Sequence, residues 1–138
     1  MISLPTANLL KGAGLRWRPA LHDFFAIPER GLDERVFVIG DMLANLELLH
    51  GSVVVSFQGA SEWALDSVLL SEVVWMPTEG QLRQAIEELL LGQGVNEFRL
   101  VGGLAGYRCE IRLPDGWRTF TGRDASEVYA QALLSLLS

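Results

Sequence analysis

Between Thr78 and Ser138 the hydrophobic period of the chain changes twice, from helical spacing to strict alternation and back. Thr78-Glu79-Gly80-Gln81 has the form of a capping box: the Thr78 hydroxyl can accept from the Gln81 amide while the Gln81 side chain reaches back. Leu82, Ala85, Ile86, Leu89 and Leu90 then recur on one helical face, and Gly92 and Gly94 supply the stop. A second cap, Asp124 with Glu127, opens a helix with the apolar stripe Ala125, Val128, Tyr129, Ala132, Leu133, Leu136 and Leu137. Three strands are expected between these helices. The first covers residues 98–101. In the second, 107–113, Tyr107, Cys109, Ile111 and Leu113 alternate with Arg108, Glu110 and Arg112. The third, 117–121, follows the tight-turn tripeptide Pro114-Asp115-Gly116. The predicted order is α-β-β-β-α.

The first half is read from shorter signals. Pro5 and Thr6 start a short helix running to Leu10, with Gly12 and Gly14 ending it. Trp17-Arg18-Pro19 is extended, because a residue before proline avoids the α region. Strands are expected at 24–27 and 36–39 around a turn at 28–33, then at 53–57 and 73–76, with a helix capped by Ser61 over 62–70 carrying Trp63; residues 43–49 fit either helix or strand, and the following Gly51 favours strand. The fold class predicted is α+β, with small antiparallel sheets and packed helices. A length of 138 residues suits one domain over 1–138, with a β-rich half to about residue 77 and the α-β-β-β-α half from about residue 78.

Composition narrows the function classes. Hydrophobic residues make up 49% and charged residues 20%, enough apolar material for a packed core. The longest apolar runs fall far short of the ~20 residues that cross a bilayer, and no signal peptide is read at the N-terminus. Cys109 is the one cysteine, so no internal disulfide forms and a cytoplasmic location is expected. A formal charge of −6 works against nonspecific binding to nucleic acid or an anionic membrane.

Catalytic signals are sparse. Gly102-Gly103-Leu104-Ala105-Gly106 lacks the lysine and strand-to-helix setting of a phosphate loop and reads as a hairpin connection. His22 and His50 are the only histidines. His22-Asp23 resembles the paired ligands of HD-type phosphohydrolases, and Asp41 and Asp66 could complete a site only if the fold brought them in. Cys109 alternates inward and reads as a small core residue. No metal site, catalytic residue or cofactor is assigned.

The α-β-β-β-α order is also that of the double-stranded RNA-binding domain, which grips phosphate with lysines at the start of its last helix. Here that helix starts Arg123-Asp124-Ala125-Ser126-Glu127, so the order is shared without the grip, and nucleic acid is not the expected partner. Interface hot spots favour Trp and Arg, and Trp17 and Trp117 both lie beside arginines. The candidate binding residues are therefore Trp17, Arg18, Arg108, Arg112, Trp117 and Arg118, with Arg99 on the same predicted outward strand face.

The segments Gly14-Leu15-Arg16-Trp17-Arg18-Pro19, Asp23-Phe24-Phe25, Glu62-Trp63-Ala64-Leu65-Asp66-Ser67-Val68 and Trp75-Met76-Pro77 give the chain a further likeness. It resembles a family of small uncharacterised bacterial proteins, some of them labelled pilus assembly. That label belongs to a larger nucleotide-binding ATPase, whose P-loop is missing here. The C-terminal half is similar to phage and mobile-element α-β-α sandwich domains. Neither resemblance supplies catalytic residues. The expectation is a noncatalytic protein-binding or adaptor domain that associates with itself as a homodimer or with another protein. The alternative is a small hydrolase or nucleotide-handling enzyme using His22, Asp23 and Asp41.

Overall fold

A computed structural model describes residues 1–28, 32–39, 43–49, 52–58, 67–69, 72–94 and 97–138. In chain order the elements are α1 (Leu4–Gly12), β1 (Phe24–Ile27), β2 (Leu32–Val38), β3 (Leu43–Leu49), β4 (Ser52–Gln58), β5 (Ser67–Leu69), β6 (Val74–Trp75), α2 (Glu79–Gly92), β7 (Phe98–Gly103), β8 (Gly106–Leu113), β9 (Gly116–Gly122) and α3 (Ala125–Leu137). The fold is α+β, and its C-terminal half has the α-β-β-β-α order that the hydrophobic periods predict. The chain divides into two compact units, Met1–Leu15 with Pro77–Ser138, and Arg16–Met76.

In the unit Arg16–Met76, one sheet has the order β2-β1-β6 and another β3-β4-β5, both antiparallel. The first is built on an apolar run: Phe25, Ala26 and Ile27 are all buried, and Trp17 and Phe37 stack on Phe25 with ring centroids 5.8 and 5.5 Å away. Two expectations need correction here. β2 begins at Leu32, inside the expected turn, because its pairing with β1 continues past a bulge between Phe25 and Ile27 to Ile27↔Leu32. The expected helix over 62–70 does not hold at 67–69, which form β5 against β4 with Val55 opposite Val68. Pairing with a neighbouring strand overrides the local helical signal there. Residues 59–66, with Trp63, lie outside the described residues.

In the other unit, both reciprocal bonds of the capping box start α2: the Gln81 amide donates to Thr78 Oγ1 at 3.3 Å, and the Thr78 amide to Gln81 Oε1 at 3.0 Å. α1 begins at Leu4, one residue before the expected start, and Ser3 caps it, accepting from the Thr6 amide. Asp124 caps α3, accepting from the Glu127 amide at 3.1 Å. Glu127 does not close a box. Its carboxylate accepts from the Ser3 amide at 2.8 Å and the Thr6 hydroxyl at 2.9 Å, clasping α1 to α3. α3 packs against α1, α2, β8 and β9, and its near-continuous burial, Ala125, Ser126, Val128, Tyr129, Ala130, Ala132 and Leu133, follows from that central position.

The sheet β7-β8-β9 is two hairpins in one register. Its two-residue loops, Leu104-Ala105 and Pro114-Asp115, are each followed by a glycine at positive φ, Gly106 at 124° and Gly116 at 129°. The tightness of both turns therefore falls on glycine, which has no Cβ to clash. Cys109, Ile111 and Leu113 of β8 are buried on the helix side. Tyr107 shares their parity but is exposed at the strand end, its ring lying over Gly102 where a Cβ would come within 2.8 Å of it.

Candidate functional site

His22 and Asp23 form a structural corner. His22 holds φ at 72° and its amide donates to the Ile39 carbonyl at 2.7 Å. The buried Asp23 carboxylate accepts from the Trp17 indole at 2.9 Å and from the Ala20 amide at 3.0 Å through the same oxygen, Oδ2. This closes the turn leading into β1 and satisfies a buried indole N–H. Trp17 is therefore a core residue, 9% exposed, and not a surface anchor, while Arg18 beside it is exposed. Asp41, His50 and Asp66 lie outside the described residues. Among the described residues no group of His, Cys, Asp and Glu could hold a metal ion, and no helix is long and apolar enough to cross a membrane.

The C-terminal sheet assembles a different set. Opposed residues in an antiparallel pair share a face, so the face away from Cys109 and Ile111 carries Arg99, Val101, Arg108, Glu110, Arg112, Trp117, Thr119 and Thr121. Trp117 is 44% exposed on this face, directly opposite Arg112. The Arg99 guanidinium lies 4.7 Å over its ring. Glu97 bridges the two cations, 3.8 Å from Arg99 and 3.6 Å from Arg112, and Arg108 pairs with Glu110 at 2.9 Å.

Each exposed ion pair contributes ~0–1 kcal/mol, and an exposed cation–π contact ~0.5–1 kcal/mol. Their combined effect is orientation. The large indole is held between charged neighbours, which restricts its rotamer freedom.

Of the six candidate binding residues, the fold brings Arg108, Arg112 and Trp117 together. Arg118 departs from the expected outward face: it stands opposite Ile111 on the helix side, and its Nη1 donates to Ser135 Oγ of α3 at 2.9 Å. Its odd spacing from Trp117 carried that signal, since neighbours in a strand point to opposite faces. Trp17 and Arg18 belong to the other compact unit. Sequence reasoning missed Glu97, which precedes β7 and whose carbonyl accepts from the Arg112 amide at 3.2 Å. Burial pushes the Cys109 thiol up to about 11, with the Glu110 charge adding to it, so it is a poor nucleophile. The groups gathered on the open face stack, pair ions and donate hydrogen bonds. No known protein family, curated protein or solved structure matches the chain, and the geometry of this face has to carry the functional argument.

Proposed function

We propose that this chain is a noncatalytic protein-binding domain that associates with a second copy of itself through the open face of its C-terminal sheet. The observation that carries this is Trp117, a half-exposed indole pinned beneath Arg99 and beside Arg112. Trp and Arg are the side chains that dominate interface energetics. The face suits a second copy because its charges are of both signs: Arg99, Arg108 and Arg112 alternate with Glu97 and Glu110. A two-fold axis through such a patch sets cations of one copy against anions of the other. The lone, buried Cys109 thiol supports a place in the cytoplasm.

Three strands of 6, 8 and 7 residues, spaced ~4.8 Å apart with ~3.4 Å per residue, give a face of about 14 by 24 Å. Allowing for side-chain relief, two copies bury on the order of 1,000 Å² in total, the lower edge of specific interfaces. The dimer is therefore weak and concentration-dependent. Sedimentation velocity on the full chain should show reversible dimerisation with a dissociation constant of about 10–100 μM. Trp117→Ser should weaken it at least tenfold, and raising the salt should weaken the wild-type dimer. A chain that stays monomeric at ten times that concentration, or a Trp117→Ser dimer as tight as wild type, refutes the proposal.

A further inference from the structure

We propose that a cleft at the β7–β8 hairpin is an oxyanion site, taking a carboxylate or phosphate group between Arg108 and Arg123. The cleft has a volume of about 450 Å³ and is lined by Gly103, Gly106, Tyr107, Arg108, Thr121 and Arg123, among others. That volume lies within the ~300–1,000 Å³ of small-ligand pockets. Its lining includes two arginines and a threonine hydroxyl but no carboxylate, in a chain whose formal charge is −6.

The cations are positioned by the register. Arg108 stands directly opposite Thr121, and the Arg123 Cα lies 3.4 Å from where a Cβ on Gly106 would be. The Nε of Arg108 donates to Glu110, which fixes the guanidinium and leaves its terminal nitrogens to donate elsewhere. Among the described residues no carboxylate pairs with Arg123. The lining also includes a small residue that the backbone does not require. Gly103 has no positive φ, and a Cβ there would meet nothing within 4 Å, so a larger side chain at 103 would occupy cleft space and spare the fold. Arginine forks suit both carboxylate and phosphate, the chemistry the two possible ligand sources share.

The test is a titration of the ¹⁵N-labelled chain with inorganic phosphate and, separately, with acetate, at constant ionic strength in sodium chloride. Saturable amide shifts at Gly102, Gly103, Gly106 and Gly122 are expected. Arg123→Gln should weaken binding about tenfold or more, the net loss of one charge-assisted hydrogen bond. Gly103→Val should remove it while keeping a dispersed spectrum, and if that variant does not fold Arg123→Gln carries the test alone. Tighter binding of phosphate points to a phosphate-bearing ligand, and equal or tighter binding of acetate to a carboxylate. Shifts that do not saturate with either anion, or that Arg123→Gln leaves unchanged, overturn the proposal. Neither Arg123 nor Gly103 belongs to the ion-pair cluster around Trp117, so a wild-type chain that dimerises but shows no saturable anion binding refutes the cleft alone.

Discussion

Cys109 offers a direct chemical probe of the C-terminal core, because it is the only thiol in the chain. It is 0% exposed in the middle of β8, and burial first, then the neighbouring Glu110 charge, raises its pKa from 9.0 to about 11. Two consequences can be measured. At pH 8 the thiolate fraction in the folded chain is about a hundredfold below that of the unfolded chain, so a disulfide reagent should label Cys109 only when the unit opens. Stability should also fall with alkaline pH. Between pH 9 and 11 the unfolded chain has lost the thiol proton and the native chain has kept it, so the native state binds more protons and unfolding becomes easier as pH rises. The contribution is fully present below pH 9 and gone above about 11. Two pK units correspond to roughly 2–3 kcal/mol.

Tyr129 acts in the same direction, its pKa raised by burial and then by the Cys109 charge, so wild type must be compared with Cys109→Ala. Denaturant midpoints of both chains should be taken at pH 7, 9 and 10.5. The wild-type curve should drop more steeply than the variant's above pH 9. Labelling of native Cys109 within tenfold of the denatured rate at pH 8, or parallel pH slopes for the two chains, would refute the account of the core.

The clasp and the hairpin glycines make two more tests. Glu127→Ala removes the acceptor of both the Ser3 amide and the Thr6 hydroxyl; it should cost about 1–2 kcal/mol and speed hydrogen exchange of α1 amides about tenfold while β8 amides hold. Gly106→Ala should destabilise by about 2 kcal/mol or more, since φ is 124° and the new Cβ would lie 2.5 Å from the Gly122 carbonyl oxygen, whereas Gly103→Ala should stay within about 0.5 kcal/mol by chemical denaturation.

The C-terminal half was legible because each local signal agreed with its neighbours. The Thr78–Gln81 box, the period-two run from Tyr107 to Leu113 and the Pro114-Asp115-Gly116 turn each specify one conformation, and all three are present as expected. The N-terminal half was less legible where strands are short. Residues 67–69 form a strand only through their partner β4, and nothing local marks where β2 begins. Long-range contacts hid the roles of two carboxylates. Glu127 looked like half of a capping box, but its acceptors serve α1 from the far end of the chain. Asp23, which with His22 belonged to the alternative enzyme reading, accepts from an indole six residues earlier. The site was half legible: alternation placed Arg108 and Arg112 outward, but only the register across two hairpins brings Trp117 to the same face and sends Arg118 to the other.

These assignments also separate the polar groups that hold the fold from the arginines of the open sheet face. Among the described residues several polar groups already hold structure: Asp23 the corner before β1, Asp124 and Glu127 the start of α3 and its clasp on α1, Thr78 and Gln81 the start of α2. Removing any of them leaves an amide, hydroxyl or indole without its partner, so each is tied to folding before function. The arginines of the open sheet carry no such duty. Arg99, Arg108 and Arg112 are about half exposed, and their partners Glu97 and Glu110 can exchange with solvent or with another chain at little cost. On the proposed interface, a fixed indole surrounded by exchangeable ion pairs would bind through its aromatic core and select through its charges. Neutralising Arg112 should therefore alter the salt dependence of association, while truncating Trp117 should alter its strength.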